Sequence, residues 1–189
     1  MTTALSERVD AAQAERLVVN SYTGLVRFFT SKAPMVGVEV CRDTLALRVT
    51  PDPADVRRLL GVRGATHNAL RDLFWCVAER HGYRFHYSLA DQGGHVRVNL
   101  PPPGPAGPEV REEVRAAVAR MCVAAFDQPY RLSVSEVRGA TSLDLDVSPR
   151  QAFPVPLFAV QEALAVVVRA VGCAVGWRYT VGTVRRAAA

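Results

Sequence analysis

Lysine is almost absent from this 189-residue sequence, and cysteines are few and widely separated. Of the 23 basic residues only Lys32 is a lysine, and the formal net charge of +5 permits a nucleic-acid partner without requiring one. No C-x-x-C pair occurs, so a zinc site or a dithiol redox motif is not expected. In a reducing compartment we expect four buried free thiols. They are Cys41, Cys76, Cys122 and Cys173.

Long apolar runs and enzyme signatures are missing as well. The longest apolar stretch, ALAVVVRAVGCAV, is interrupted by Arg169 and is shorter than the roughly 20 residues that span a bilayer, so we predict a core helix there. The N-terminal segment does not have the pattern of a signal peptide, and we expect a cytoplasmic protein without membrane contact. Phosphate-loop, dinucleotide and serine-hydrolase motifs are absent, and of the neighbouring His81, His86 and His95 the last two fall in a predicted hairpin without a cysteine or carboxylate partner. The sequence predicts a non-enzymatic protein that binds no cofactor and no metal.

Hydrophobic periodicity in the first half predicts a mixture of helices and strands. Apolar residues at helical spacing predict a helix over residues 7–31. VGVEV and TLALRV, on either side of CRD, predict a β-hairpin. Asp52 followed by Pro53 is typical of a helix start, and that short helix should end at Gly61. A longer helix is predicted over residues 65–81, followed by the strands YRFHYSL and HVRVNL.

The second half repeats this order. A proline-rich linker at residues 101–108 separates residues 1–100 from residues 109–189. After it, PEVREEVRAAVARMCVAAF predicts a helix, YRLSV and SLDLDVSP predict a hairpin, FAVQEALAVVVRAVG predicts a helix, and WRYTV predicts a strand. We therefore predict an α+β fold of two similar units, each a small sheet covered by helices.

Matched residues favour an internal duplication over a chance likeness between short α/β patterns. Three strand residues match residues 98 positions further on, and GYRF matches GWRY 94 positions further on. The second unit has thus lost four residues where the first carries LLGVRG, and Pro154 and Pro156 stand there instead. The pentapeptide VRGAT, at 62–66 and again at 137–141, fits neither offset, so its repetition is interpreted as accidental. The matched strand residues are Leu45 and Leu143, Leu47 and Leu145, and Val49 and Val147.

One motif of the first unit has a chemical meaning, the G-x-x-G of GVRG between two predicted helices. Glycines at such a junction remove side chains and free the backbone dihedrals, so the main chain can approach a sugar-phosphate strand closely. The helix that follows directs its unpaired N–H groups and its positive dipole end to the same place, which suits a phosphate. Arg63 is the charged residue of the loop. Arg57, Arg58 and Arg71 flank it, although helical phase turns at least one of them away.

The order helix–strand–strand–helix–GxxG–helix–strand, with RRLLGVRGATHNALRDL at its centre, resembles the type II KH domain of bacterial RNA-binding proteins. The likeness covers about residues 7–90 in order, and at residue level it is concentrated between 47 and 80. It implies single-stranded RNA binding, in RNA metabolism, ribosome assembly or translation, by a loop that clamps about four nucleotides. The bases would lie in a groove floored by Val56, Leu60 and the outer side of the second strand around Ala46. The RNA-binding residues so implied are Gly61, Val62, Arg63, Gly64, Ala65, Thr66, His67, Arg57, Arg71 and Arg48.

The loop departs from the family pattern at two positions. Val62 and Ala65 stand where relatives often carry Lys or Arg. A single loop cation implies weaker and less salt-sensitive binding, since each neutralised phosphate contributes about 0.7 to the log–log salt slope on single strands. A tight turn between helices that binds nothing is the competing interpretation of the motif. The alternative function is a scaffold or assembly protein that uses the same fold for protein contacts.

The second unit is predicted to bind no RNA. It lacks the glycine loop, and Asp144 and Asp146 occupy the positions that match Ala46 and Arg48. Two carboxylates on a strand beside a groove would repel phosphate. We expect this unit to pack, to form a homodimer or to recruit a protein partner.

Overall fold

The computed structural model describes residues 10–90, 106–126, 130–137 and 139–187. The first half contains α1 (Ala11–Val26), β1 (Met35–Cys41), β2 (Thr44–Thr50), α2 (Val56–Leu60), a 3-10 turn (Val62–Gly64), α3 (Ala65–Arg80) and β3 (Arg84–Leu89). The second half contains α4 (Pro108–Ala125), β4 (Arg131–Val137), β5 (Ala140–Val147), α5 (Leu157–Val175) and β6 (Arg178–Arg186). The fold is therefore α+β. The second half repeats the order of the first, except that residues 148–156 contain no helix.

Each half forms its own three-stranded mixed sheet. The central strand is β2 in the first sheet and β5 in the second, and each pairs antiparallel with the strand before it and parallel with the last described strand of its half. Gly82 and Gly176, at matched positions, both have positive φ values (+78° and +69°) just after the long helix of their half, as expected for helix-ending glycines. The matched strand residues all face the core; they are Leu45, Leu47, Val49, Leu143, Leu145 and Val147.

The two sheets differ in the register of their parallel pair. Leu45 pairs with Phe85 in the first sheet, whereas Leu143 pairs with Val181, two residues beyond the match of Phe85. The second sheet also has an irregularity in β6, opposite the step from Leu143 to Leu145. The halves therefore share their topology but not every detail of strand pairing.

Helices join the two halves. α1 packs against α4 and α3 packs against α5, so the buried side chains of both halves form one hydrophobic core. Arg80 at the end of α3 donates hydrogen bonds to the carbonyls of Val123 and Ala124 in α4. At the surface, Arg27 forms an ion pair of 2.8 Å with Glu113.

Among the described residues, α5 is the one helix long and apolar enough to cross a membrane by length and composition alone. One side of it is buried, through residues such as Val160, Leu164, Val167 and Val171, and it packs against β6 and α3. One face of α5 thus lies in the core, as predicted from the sequence, whereas its other face carries exposed residues such as Phe158, Arg169 and Cys173.

The expectation of four buried thiols is wrong for two of them. Cys76 and Cys122 are buried, and burial raises the pKa of each thiol to about 12. Cys41 and Cys173 are exposed. Both exposed thiols lie on surfaces that turn away from the core, at the end of β1 and on the outer side of α5.

The predicted start of α2 is three residues too early. Asp52 accepts a hydrogen bond from the backbone amide of Ala54 (3.0 Å) and forms a turn, and the helix begins only at Val56. The first helix also ends earlier than predicted, at Val26. The predicted strand HVRVNL and most of the linker lie outside the described residues, so the boundaries of the two units stay predictions.

Candidate functional site

The chain passes from α2 to α3 through three residues with positive φ. Gly61, Arg63 and Gly64 have φ values of +71°, +54° and +78°. The amide of Gly64 donates to the carbonyl of Gly61 at 3.4 Å and closes the 3-10 turn. A left-handed backbone is rare for a residue with a side chain and costs on the order of 1 kcal/mol at Arg63. At the tip of the loop the Val62 side chain is 83% exposed, so this bend is not packed against the C-terminal half.

The two glycines are required for different reasons. A Cβ atom at Gly61 would lie 2.3 Å from Oγ1 of Thr66 and 2.8 Å from its backbone nitrogen, so no side chain fits. A Cβ atom at Gly64 would meet only Nδ2 of Asn68, at 3.9 Å. Packing within the protein therefore explains Gly61. At Gly64 the left-handed φ of +78° favours glycine, and a Cβ there would be in ordinary contact with Asn68 only, so another molecule can approach.

A buried carboxylate fixes the segment beside the loop. Asp55 is 1% exposed and accepts hydrogen bonds from the amide and the hydroxyl of Ser31, at 2.7 and 2.8 Å. A guanidinium nitrogen of Arg58 lies 3.4 Å from the other carboxylate oxygen of Asp55. These contacts tie the chain after α1 to the start of α2 and orient Arg58 on α2.

A groove of about 790 Å³ opens beside the loop. One wall is formed by the segment after α1, by α2, by the loop and by the start of α3; its residues include Phe28, Phe29, Ser31, Arg58, Val62 and Thr66. The other wall belongs to α5 and consists of Val166, Arg169, Ala170, Cys173 and Ala174. The described residues that line the groove include two arginines, Arg58 and Arg169, and no carboxylate. The surface is thus apolar and positively charged, and it contains residues of both halves.

Thr66 is turned inward, and His67 is partly buried. Thr66 is buried against Gly61. The His67 ring stacks on Tyr87 with ring centroids 4.6 Å apart, and its Nδ1 is buried without a hydrogen-bond partner. Burial, and to a smaller extent the charge of Arg71, lowers the pKa of His67. His67 is therefore neutral at pH 7 and adds no positive charge to the loop.

The remaining predicted residues are not all gathered at the loop. Arg57 is exposed in the last turn of α2, next to the loop in sequence. Arg71 is half-exposed and forms an ion pair of 2.9 Å with Asp72. Arg48 projects from the face of the sheet opposite the helices, since its neighbours in β2 face the core. The expectation that Val56 floors a groove is wrong, because Val56 is buried in the core.

The carboxylates of the second unit are used within its own sheet. Asp144 accepts hydrogen bonds from the amide and hydroxyl of Thr183, at 2.8 and 3.0 Å, where β6 is irregular. Asp146 pairs with Arg185 at 2.7 Å, and this contact lowers the pKa of Asp146. Both residues hold β5 to β6, so repulsion of phosphate is not needed to explain their presence.

The α5 wall was not identified from the sequence, because only tertiary packing brings it opposite the loop. The one signal was the excess of apolar residues on α5, more than a single buried stripe requires. No protein-family model matches the chain, and no curated protein is significantly similar to it.

Proposed function

We propose that the protein binds single-stranded RNA through a type II KH-like first unit. The sugar-phosphate backbone lies at Gly61–Gly64, and the bases enter the adjoining groove. The protein acts in the cytoplasm without catalysing a reaction. The order of elements from α1 to β3 is the one that the sequence resemblance implies, with the G-x-x-G at the junction of two helices.

One observation carries the proposal: the loop is exposed beside a groove whose described lining is apolar and cationic. Apolar surfaces accept the faces of unstacked bases, whereas arginines and helix N-termini attract phosphates. Gly64 leaves its backbone open on the solvent side. The groove thus offers a place for both parts of a nucleotide.

Titration of the protein into labelled single-stranded RNA of mixed sequence tests this function. Val62→Asp with Arg63→Asp reverses the charge of the loop and should abolish measurable binding in fluorescence anisotropy. Arg16→Asp with Met35→Asp makes the same change in net charge at exposed positions on α1 and β1, and should reduce affinity only modestly. Equal binding by the wild type and the loop variant would remove the loop from the interaction.

The apolar character of the groove favours one alternative, a scaffold that binds a protein segment there. Val62 is an exposed aliphatic residue where a cation would serve RNA better. The second unit would then contribute to a contact with a protein partner or a second copy of the chain. A wild-type protein that binds no RNA at low salt would favour this alternative.

A further inference from the structure

We infer that α5 of the C-terminal half is the second wall of the RNA site, with Arg169 contacting a phosphate and the small apolar residues of α5 lying against the bases. The inference rests on the proposed function. It assigns a binding role to the half that has no glycine loop.

The outer side of α5 forms a continuous stripe toward the groove. Five lining residues of α5 fall at positions i, i+3, i+4, i+7 and i+8, which places them on one helix face; they are Val166, Arg169, Ala170, Cys173 and Ala174. The opposite stripe is buried and packs against β6 and α3. The helix is therefore held rigidly in the core while its other side remains accessible, so the wall needs no rearrangement to receive a ligand.

The matched helix of the first half shows that this stripe is not simply inherited from a common helix. At an offset of 94 residues, α3 carries Asp72 and Glu79 where α5 carries Val166 and Cys173. Most matched buried positions, such as Leu70 with Leu164 and Val77 with Val171, are by contrast apolar in both helices. The face of α5 that lines the groove therefore carries no acidic residue, whereas the matched face of α3 carries two. Acidic side chains would repel an anionic ligand, so this difference is the one expected if α5 faces such a ligand.

Charge in the groove points to a polyanion. Arg169 is exposed and makes no ion pair with another described residue. It shares the groove with Arg58, and Arg63 lies in the adjoining loop. Cations from both walls are suited to successive phosphates of one strand, although Arg58 shares its charge with Asp55, 3.4 Å away.

The native cysteines provide a direct test. Cys173 lies in the α5 wall, whereas Cys41 is exposed at the end of β1 and away from the groove. A single-stranded RNA of about eight nucleotides, twice the roughly four-nucleotide footprint of a KH loop, should slow alkylation of Cys173 by N-ethylmaleimide and leave Cys41 unchanged. Mass spectrometry of peptides separates the two sites. Cys76 and Cys122 are buried and serve as unreactive references.

A matched pair of variants gives an independent measurement. Arg169→Gln removes one phosphate contact, so the slope of log affinity against log salt concentration should fall by about 0.7. If the plots of wild type and variant meet at 1 M salt, this corresponds to about fivefold weaker binding at 0.1 M. Arg16→Gln removes the same charge from an exposed position of α1 and should alter neither the slope nor the affinity by as much.

The outcomes separate this inference from the proposed function. The role of α5 is overturned if RNA binding depends on the loop but RNA does not slow alkylation of Cys173, and if Arg169→Gln and Arg16→Gln have the same salt slope and affinity. The loop would then remain as the site. Absence of RNA binding by the wild type overturns both. Protection of Cys173 together with the reduced slope supports the assignment.

Discussion

Alanine substitution of the two loop glycines should separate the structural role of the loop from its role in binding. At Gly61 the backbone has φ +71° and ψ −177°, a region almost confined to glycine, which costs about 1–3 kcal/mol for alanine. The new Cβ would also lie within 3 Å of three atoms of Thr66, one of them backbone nitrogen, and such overpacking costs about 1–3 kcal/mol. We expect Gly61→Ala to lower the free energy of unfolding by about 3 kcal/mol.

At Gly64 the same substitution meets no obstacle. The residue has a left-handed backbone (φ +78°, ψ +10°), which alanine adopts at a cost of about 1 kcal/mol, and the nearest atom to a new Cβ is 3.9 Å away. Gly64→Ala should thus keep most of the stability. Its methyl group should nevertheless weaken RNA binding, since it projects from the side of the loop where a strand approaches.

Urea unfolding followed by circular dichroism, with RNA anisotropy on the same preparations, measures both effects. A double-mutant cycle adds Thr66→Ala, which removes the nearest clashing atom; the pair should show a favourable coupling of about 1 kcal/mol with Gly61→Ala. Similar stability losses for Gly61→Ala and Gly64→Ala would contradict the packing argument. Unchanged RNA affinity of Gly64→Ala would show that no ligand approaches at that residue.

Three further predictions concern neighbouring residues. Arg63→Gly should stabilise the protein by about 0.5 kcal/mol relative to Arg63→Ala in urea unfolding, because only glycine relieves the left-handed strain, while both should weaken RNA binding equally. The pKa of His67 is lowered in the folded state, so its contribution to stability is present above the unfolded pKa near 6.5 and is lost as pH falls below it; His67→Phe should flatten that pH dependence and keep the stacking on Tyr87, as thermal unfolding between pH 5 and 7 can show. Asp55→Ala should cost about 3 kcal/mol of unfolding free energy, since it leaves the donors of Ser31 without their acceptor, whereas Asp52→Ala, at an exposed ion pair, should cost far less.

Local patterns predicted most elements of this fold. The alternation in TLALRVT places Leu45, Leu47 and Val49 on one face of a strand, and a single sheet face covered by helices is enough to bury them. The end of the long helix before Gly82 was also predicted, because helices commonly end just before a glycine, and Gly82 does have a positive φ. Such features depend on a few neighbouring residues.

The remaining features depend on contacts distant in sequence. Asp55 falls within the short helix predicted before Gly61, and no local pattern marks it as a buried acceptor. It becomes one because Ser31, 24 positions earlier, packs against it in the fold. His67 is one of the RNA-binding residues that the resemblance implies, but its ring stacks on Tyr87 and is partly buried. The exposure of Cys173 and the position of Arg169 follow from the docking of one half on the other, which no local pattern specifies.

That docking has an unusual property: helices at matched positions pack against each other. α1 contacts α4, its counterpart, and α3 contacts α5, its counterpart. Contact between equivalent surfaces is the arrangement of a two-fold symmetric dimer, here within one chain. In such an arrangement the loop of the first half would face α5, an equivalent loop of the second half would face α3, and two equivalent grooves would form. This symmetry is broken in two places. The second half lacks the loop, and α3 carries Asp72 and Glu79 where α5 carries Val166 and Cys173. The loop belongs to the first half and the α5 wall to the second, and residues of both line the groove described above.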